Sequence, residues 1–355
     1  MKKNKLKIIS SIYKMVLEVK TISQRFDDTI LSNFFHVNIK GDDINFVLVN
    51  ALRRILLEDI PGFAFNDKKI SIKANSSVYN NDYLRNRIEN FPIHGINNIF
   101  NIDEYNNLKD LVLKKEIIDE VDEIENQLLT EDGIVSNNED NKSLKNISLL
   151  NMYVNMKNEN DDIMNVTTDN CNFFINGESK KNIYKNPLLI CKLKKGEELE
   201  LSAIVDKNIP EFHSKYSVVG SCVYEQIKDN EFLFKFDNRS DIKNNEILSI
   251  ACEILIFRLK SFLKKIEQEK FTTDTHGKII INNESHTLGN LIGRALQDSN
   301  NIEFAAYKKD HLLINDITLE YVTNGSKSIN EILNICLTKQ INLLDSLKAK
   351  FKKLS

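Results

Sequence analysis

The spacing of apolar residues changes twice in the first sixty positions. Met15, Leu17 and Val19 alternate with polar neighbours, which predicts a strand, and a second strand is predicted over Asn33–Lys40, closed by Gly41. From Asp42 the period lengthens. Ile44, Val47, Leu48, Ala51, Ile55 and Leu56 recur at helical spacing, and Phe46, Val49 and Leu52 widen the apolar face beyond a single stripe. Asp42 or Asp43 is placed to cap this helix, and Pro61 to stop it. So apolar a helix, carrying the adjacent arginines Arg53 and Arg54, must be covered on more than one side, which puts it at an interface.

Strand-like text follows around Lys69–Lys73, and Asp82–Arg87 leads into Phe91-Pro92-Ile93. A charged helix is predicted over about Leu108–Leu128, with Ile117, Val121, Ile124 and Leu128 on one face, and then a polar loop over Thr130–Asn146. Further strands are expected at Asn151–Met156, Leu188–Leu193, Glu198–Val205, Val218–Gln226 and Glu231–Phe236. Lys194-Lys195-Gly196 is read as the turn of a hairpin joining the second and third of these. Helical period returns from about Asn245 to Glu267. Gln268–Gly277 is a polar linker, and beyond it a strand Lys278–Asn282, a helix from His286, strands near Ile302–Lys308 and Ile317–Val322 and a terminal helix Ser328–Phe351 make a unit of their own.

The two halves echo each other. The text from Asn50 is NALRRILLED and from Asn290 it is NLIGRALQDS. Without gaps, Asn50 meets Asn290, Leu52 meets Ile292, Arg54 meets Arg294, Leu56 meets Leu296 and Glu58 meets Asp298; Phe63-Ala64-Phe65 is taken to answer Phe304-Ala305-Ala306. Two strand–helix–strand units, each ending in a long helix, predict a pseudo-two-fold pair in which each copy covers the other's apolar helix. Joining them by a linker makes the pairing intramolecular, at an effective concentration on the order of millimolar.

Composition narrows the function. With 355 residues, 41% hydrophobic, the chain can bury more than one core. Its net charge of −3 argues against a protein that coats nucleic acid. The five cysteines are scattered with no close pair, so neither a zinc site nor a disulfide framework is expected. The start Met1-Lys2-Lys3-Asn4-Lys5 is followed by an apolar stretch too short for export, and no run approaches a membrane span. The six histidines are dispersed. His286, beside Thr287 and near Glu284, stands at a helix start and is expected to cap or pack. Gly289 and Gly293 lie inside the helix pattern, where they permit close approach of helices rather than cradle a phosphate. Lys348, Lys350, Lys352 and Lys353 suit a helix C-terminus. No catalytic, cofactor-binding or metal-binding set is expected.

The motif Asn50-Ala51-Leu52-Arg53-Arg54-Ile55-Leu56, running into Glu58-Asp59-Ile60-Pro61, resembles the signature helix of the bacterial α and archaeal D subunits of RNA polymerase and the eukaryotic third-largest subunit. Asp82-Tyr83-Leu84-Arg85-Asn86-Arg87-Ile88 with Phe91-Pro92-Ile93 is similar to the segment that follows it there. Lys192-Leu193-Lys194-Lys195-Gly196-Glu197-Glu198-Leu199, continued by His213-Ser214-Lys215-Tyr216-Ser217, is similar to a later one. Glu284-Ser285-His286-Thr287-Leu288-Gly289-Asn290-Leu291, with Glu303-Phe304-Ala305-Ala306-Tyr307, resembles the archaeal L subunit. D-like then L-like halves in one chain look most like the fused subunit of polymerases of large cytoplasmic DNA viruses. The chain departs from the pattern by lacking a cysteine-rich insertion, by Ala306 in place of glycine, by Leu312 in place of proline after His311, and by the expansion Leu108–Asn146.

The resemblance implies an α+β fold of two pseudo-two-fold-paired dimerisation units. A discontinuous D-like domain spans 10–95 and 228–268, a β-rich insertion 96–227, a linker 269–277 and an L-like domain 278–355. It implies a non-catalytic platform for the two large catalytic subunits and other small polymerase subunits, meeting DNA and RNA only through the complex, with no membrane contact and no cofactor. The expected location is the cytoplasm, with a viral factory and the virion implied by the viral likeness. The expected pairing face is Val47, Leu48, Leu52, Ile55, Leu56, Leu288, Leu291, Ile292 and Leu296, and Arg53 and Arg54 are expected to face a large subunit. The rival reading is a free-standing cytosolic interaction adaptor on the same fold, with the charged insertion as its binding arm.

Overall fold

The computed structural model describes residues 17–27, 32–96, 98–113, 150–175, 177–268, 275–309 and 316–354. The charged stretch from 114 to 149, most of the linker, and His311 with Leu312 lie outside the described residues. The fold is α+β and divides into two compact units, one formed by residues 1–60 with 218–355 and the other by 61–217.

The first unit opens with β1 (Leu17–Asp27) and β2 (Ser32–Gly41). In β2 the buried side chains Phe35, Val37 and Ile39 alternate with half-exposed ones, the two-residue period of a strand with one face in a core. Helix α1 (Phe46–Glu58) follows. Its N-cap is Asn45, whose Oδ1 accepts the Leu48 N–H at 3.0 Å, so the cap falls two residues beyond the expected Asp43. After the excursion into the second unit come β10 (Val219–Lys228), β11 (Glu231–Asn238) and the 25-residue helix α4 (Asn244–Gln268). These four strands form one antiparallel sheet in the order β1-β2-β11-β10. Phe232, Phe234 and Phe236 of β11 stand opposite Ile39, Val37 and Phe35 of β2, with the Phe35 and Phe236 rings 5.6 Å apart. The same unit closes with β12 (His276–Asn282), α5 (His286–Gln297), β13 (Ile302–Lys308), β14 (Asp316–Thr323) and α6 (Ile329–Phe351), the three strands lying in the order β12-β14-β13.

The second unit holds β3 (Gly62–Asn75), α2 (Asn81–Glu89), a helix α3 described over 102–113, and β4 (Leu150–Lys157), β5 (Met164–Thr167), β6 (Asn172–Ile175), β7 (Glu178–Lys180), β8 (Leu189–Leu193) and β9 (Glu198–Asn208). Its main sheet runs β3-β9-β4-β6-β7, over a core that includes Phe65, Leu150, Met152, Phe173, Leu193 and Leu201. The expected hairpin between β8 and β9 is absent. Gly196 does turn the chain with φ +82°, but β8 pairs with β5 while β9 lies between β3 and β4. A glycine turn reports that the chain reverses, not which strands bond. The units also meet the chain at 61 and 218 rather than at the expected 95/96 and 227/228. The reasons are that β3 is bonded along its length to β9, and β10 to β11.

Candidate assembly interface

The first unit contains one design twice. The strand order β2-β11-β10 repeats as β12-β14-β13, each set is antiparallel, and each has a short helix after its first strand and a long helix after its last. The 61–217 segment interrupts only the first copy, between α1 and β10. The strand that answers β13 is therefore β10, and the match of Phe63-Ala64-Phe65 to Phe304-Ala305-Ala306 is corrected: β3 belongs to the other unit. A stronger echo was overlooked. Aligned from their first residues, α4 and α6 share Asn245-Glu246-Ile247-Leu248 with Asn330-Glu331-Ile332-Leu333.

The copies meet helix to helix, α1 against α5 and α4 against α6. Of the residues expected to face one another, Val47, Leu48, Leu52, Ile55 and Leu56 on α1 and Leu288, Leu291, Ile292 and Leu296 on α5 are all 3% exposed or less. Burial of such side chains stabilises by about 1.5–3 kcal/mol each. Because α1 also packs on β10 and α4, only part of that burial belongs to the contact between copies.

Polar contacts fix the register. The Arg54 Nε donates to Thr287 Oγ1 at 2.6 Å, and its Nη2 lies 2.9 Å from Glu58 Oε2. The echo predicts a matching pair in the other copy, and Arg294 meets Asp298 at 3.0 Å. Arg54 is thus engaged inside the unit, whereas the Arg53 Nε donates within its own helix, to Asn50 Oδ1 at 2.9 Å, and its side chain is half-buried. Lys348 reaches from α6 to Glu253 on α4 at 2.7 Å, and Lys339 reaches Asp43 at 2.6 Å. His286 does not cap. Ser285 holds the cap position, and the His286 ring lies edge-on to Tyr307, centroids 5.9 Å apart. A Cβ on Gly289 would fall 2.7 Å from the Tyr307 ring and 2.8 Å from Ile317, so this glycine serves the approach of α5 to its own sheet rather than to another helix.

The sequence reading also missed the charged centre of the unit. Arg258 of α4 contacts Asp59, Nη1 to Oδ2 at 3.4 Å, and Nη2 donates to Glu284; the Arg258 and Asp59 side chains are 7% and 3% exposed. The signal was an arginine inside Leu255-Ile256-Phe257-Arg258-Leu259, on a helix that is otherwise apolar there.

All five cysteines are buried thiols. Burial pushes Cys171 and Cys222 up to about 12 and Cys191 up to about 11, and raises Cys252 and Cys336 as well. Among the described residues no three metal-ligating side chains come together, and no helix is long and apolar enough to cross a membrane.

Comparison with known proteins gives this geometry a class. The RNA polymerase Rpb3/Rpb11 dimerisation domain matches twice, over residues 39–259 and again over 276–350. The chain belongs to that family and is an α-like assembly subunit of a DNA-directed RNA polymerase. Over 96% of its length and 95% of the relative's, it is 25% identical to a protein of Acanthamoeba polyphaga mimivirus provisionally named DNA-directed RNA polymerase subunit R470. It is 25% identical to DNA-directed RNA polymerase subunit Rpo3 of Methanocaldococcus jannaschii, across 61% of this chain and 84% of the relative. It is also 37% identical to subunit Rpo11 of Sulfolobus acidocaldarius, across 20% of this chain and 74% of the relative.

Proposed function

We propose that the chain is a non-catalytic scaffold in which a D-like and an L-like half, fused head to tail, pair within one molecule and nucleate the binding of the two large catalytic subunits. The supporting observation is the packing of α1 on α5 and of α4 on α6 inside one compact unit. In separate chains such a pair forms at a rate set by concentration. On one chain the effective concentration is on the order of millimolar, and the platform is ready once the chain has folded.

Arg53 is the better-placed large-subunit contact, because its guanidinium keeps donors to offer a carboxylate or a backbone carbonyl. Arg54 takes part with whatever the Glu58 and Thr287 contacts leave free. The likeness to the mimivirus protein supports a viral polymerase working in a cytoplasmic viral factory and carried in the virion. Other small polymerase subunits join the platform, and nucleic acid is met only through the complex.

An affinity pull-down of the tagged chain from its native source tests the reading. Two very large chains in equal amount, with template-dependent RNA synthesis in the eluate, are expected. Recovery of the chain alone in gentle salt would refute the scaffold. The variant Arg53→Ala with Arg54→Ala is expected to stay folded and recover less of both large chains. Unchanged recovery would remove the arginines from the contact.

A further inference from the structure

Arg258 lies mid-helix in α4 with its side chain 7% exposed. A guanidinium there loses most of its hydration, and only carboxylates in contact offset the loss. Asp59, at the C-cap of α1, supplies one from the same half; Glu284, in the turn before α5, supplies the other from the second half. The turn is held in place. Asn283 adopts φ +60°, the one non-glycine positive φ among the described residues, and its N–H donates to Asp316 Oδ1 at 3.0 Å.

The repeat gives each member of this cluster a counterpart. Phe46 and His286 open α1 and α5, and Asn244 and Ile329 open α4 and α6. Counted from those starts, Asp59 corresponds to Ser299, Arg258 to Leu343 and Glu284 to Ile44. None of the three carries a charge. Ile44 and Leu343 are each 2% exposed, and Ile44 and Ser299 line an open cleft whose ion pairs, Lys339–Asp43 and Arg294–Asp298, are solvated where those of the first site are buried. In a fold written twice, the buried ion cluster occurs once.

We propose that the Asp59–Arg258–Glu284 cluster determines partner choice, making the first half accept the second half and reject another first half. This rests on the intramolecular pairing proposed above. Two first halves packed about the same axis would set Arg258 against Ile44. Two second halves would set Glu284 against Leu343. In the first case Arg258 keeps Asp59 but loses its second carboxylate to an alkyl group, and in the second Glu284 loses its guanidinium altogether, so each mismatch is a penalty on the wrong partner rather than a gain for the right one. The other ion pairs between the halves discriminate less, because Lys339 is 61% exposed and the Lys348–Glu253 pair is partly solvated. The selection matters because every chain carries both halves. Pairing of like halves would join one chain to another, whereas unlike pairing closes each chain on itself.

The test uses the full-length chain with a protease site inserted between Gln268 and Thr275, nicked after folding. Nicked preparations are mixed, allowed to exchange fragments and weighed by native mass spectrometry. The wild type is expected to give only first-half/second-half species. When nicked Arg258→Glu is mixed with nicked Glu284→Arg, the Arg258→Glu first fragment is expected to collect on the Glu284→Arg second fragment, the combination that restores opposite charges. A random distribution of partners in that mixture would overturn the proposal. If a single substitution prevents folding, the intact double variant Arg258→Glu/Glu284→Arg decides instead. A monomer that regains most of the lost thermal stability supports the proposal, and no recovery overturns it. Separation of the wild-type fragments on nicking would remove the pairing reading itself.

Discussion

Leu52→Asp puts the buried face of α1 to a quantitative test. Leu52 is 1% exposed, on a helix packed against α4, α5 and β10. Removing the isobutyl group costs about 2–5 kcal/mol in lost transfer energy and cavity, as Leu52→Ala would. The new carboxyl adds a second cost, because at such a site it binds a proton rather than bury a charge. Against an unfolded-state pKa of about 3.9, holding it neutral costs about 1.36 kcal/mol per pH unit, or about 4 kcal/mol at pH 7. The sum, about 6–9 kcal/mol, approaches the whole stability of a typical domain. The sign follows from linkage. The introduced group has a folded-state pKa raised above its unfolded value, so its penalty is absent below about pH 4 and grows until the pH passes the folded pKa. Urea unfolding of Leu52→Asp and Leu52→Ala at pH 5 and pH 7 should therefore show the gap between them narrowing by about 2.7 kcal/mol at the lower pH. A gap that does not change with pH would mean that the carboxylate reaches water and the face is not closed.

Four further outcomes follow from the packing within the two units. Gly289→Ala should destabilise by about 1–3 kcal/mol, since its Cβ meets Tyr307 and Ile317. Gly293→Ala, whose Cβ would stand 3.7 Å from Tyr307, should instead stabilise by up to about 1 kcal/mol through helix propensity; thermal melts giving both the same sign would contradict the placement of α5. Arg258→Met takes the guanidinium away from Asp59 and Glu284 and should cost about 3–5 kcal/mol, most of it regained in Asp59→Asn/Arg258→Met/Glu284→Gln; equal melting points for the single and triple variants would rule out the coupling. At pH 8 the native thiols should react far more slowly with a thiol reagent than those of the unfolded chain, because burial holds Cys171, Cys191 and Cys222 at about 12, 11 and 12; prompt native labelling of all five would be inconsistent with the core.

Long periodic segments were legible because their period reports burial directly. The strands over 32–41 and 231–238 and the helices from Phe46, His286 and Ile329 fall within a few residues of their expected limits. The repeat was legible too, since its copies share side chains at fixed spacing, down to the Arg54–Glu58 and Arg294–Asp298 bridges. The short strands β5, β6 and β7 were not. Three or four residues are too few for alternation to stand out, and their apolar positions serve a core assembled from distant segments.

The amino-acid sequence by itself determined the long helices and the longer strands, that a strand–helix motif occurs twice, and that its helices need cover on several sides. Those properties depend on residues a few positions apart, whose spacing the text displays. Tertiary structure alone decided that β8 bonds β5 and not β9, that β3 leaves the first unit, and that Arg258 meets carboxylates 199 positions before it and 26 after it. Strand partners and buried ion pairs are chosen by the closing of the whole core, where each group must find its complement among residues far away in sequence. No local pattern records that choice.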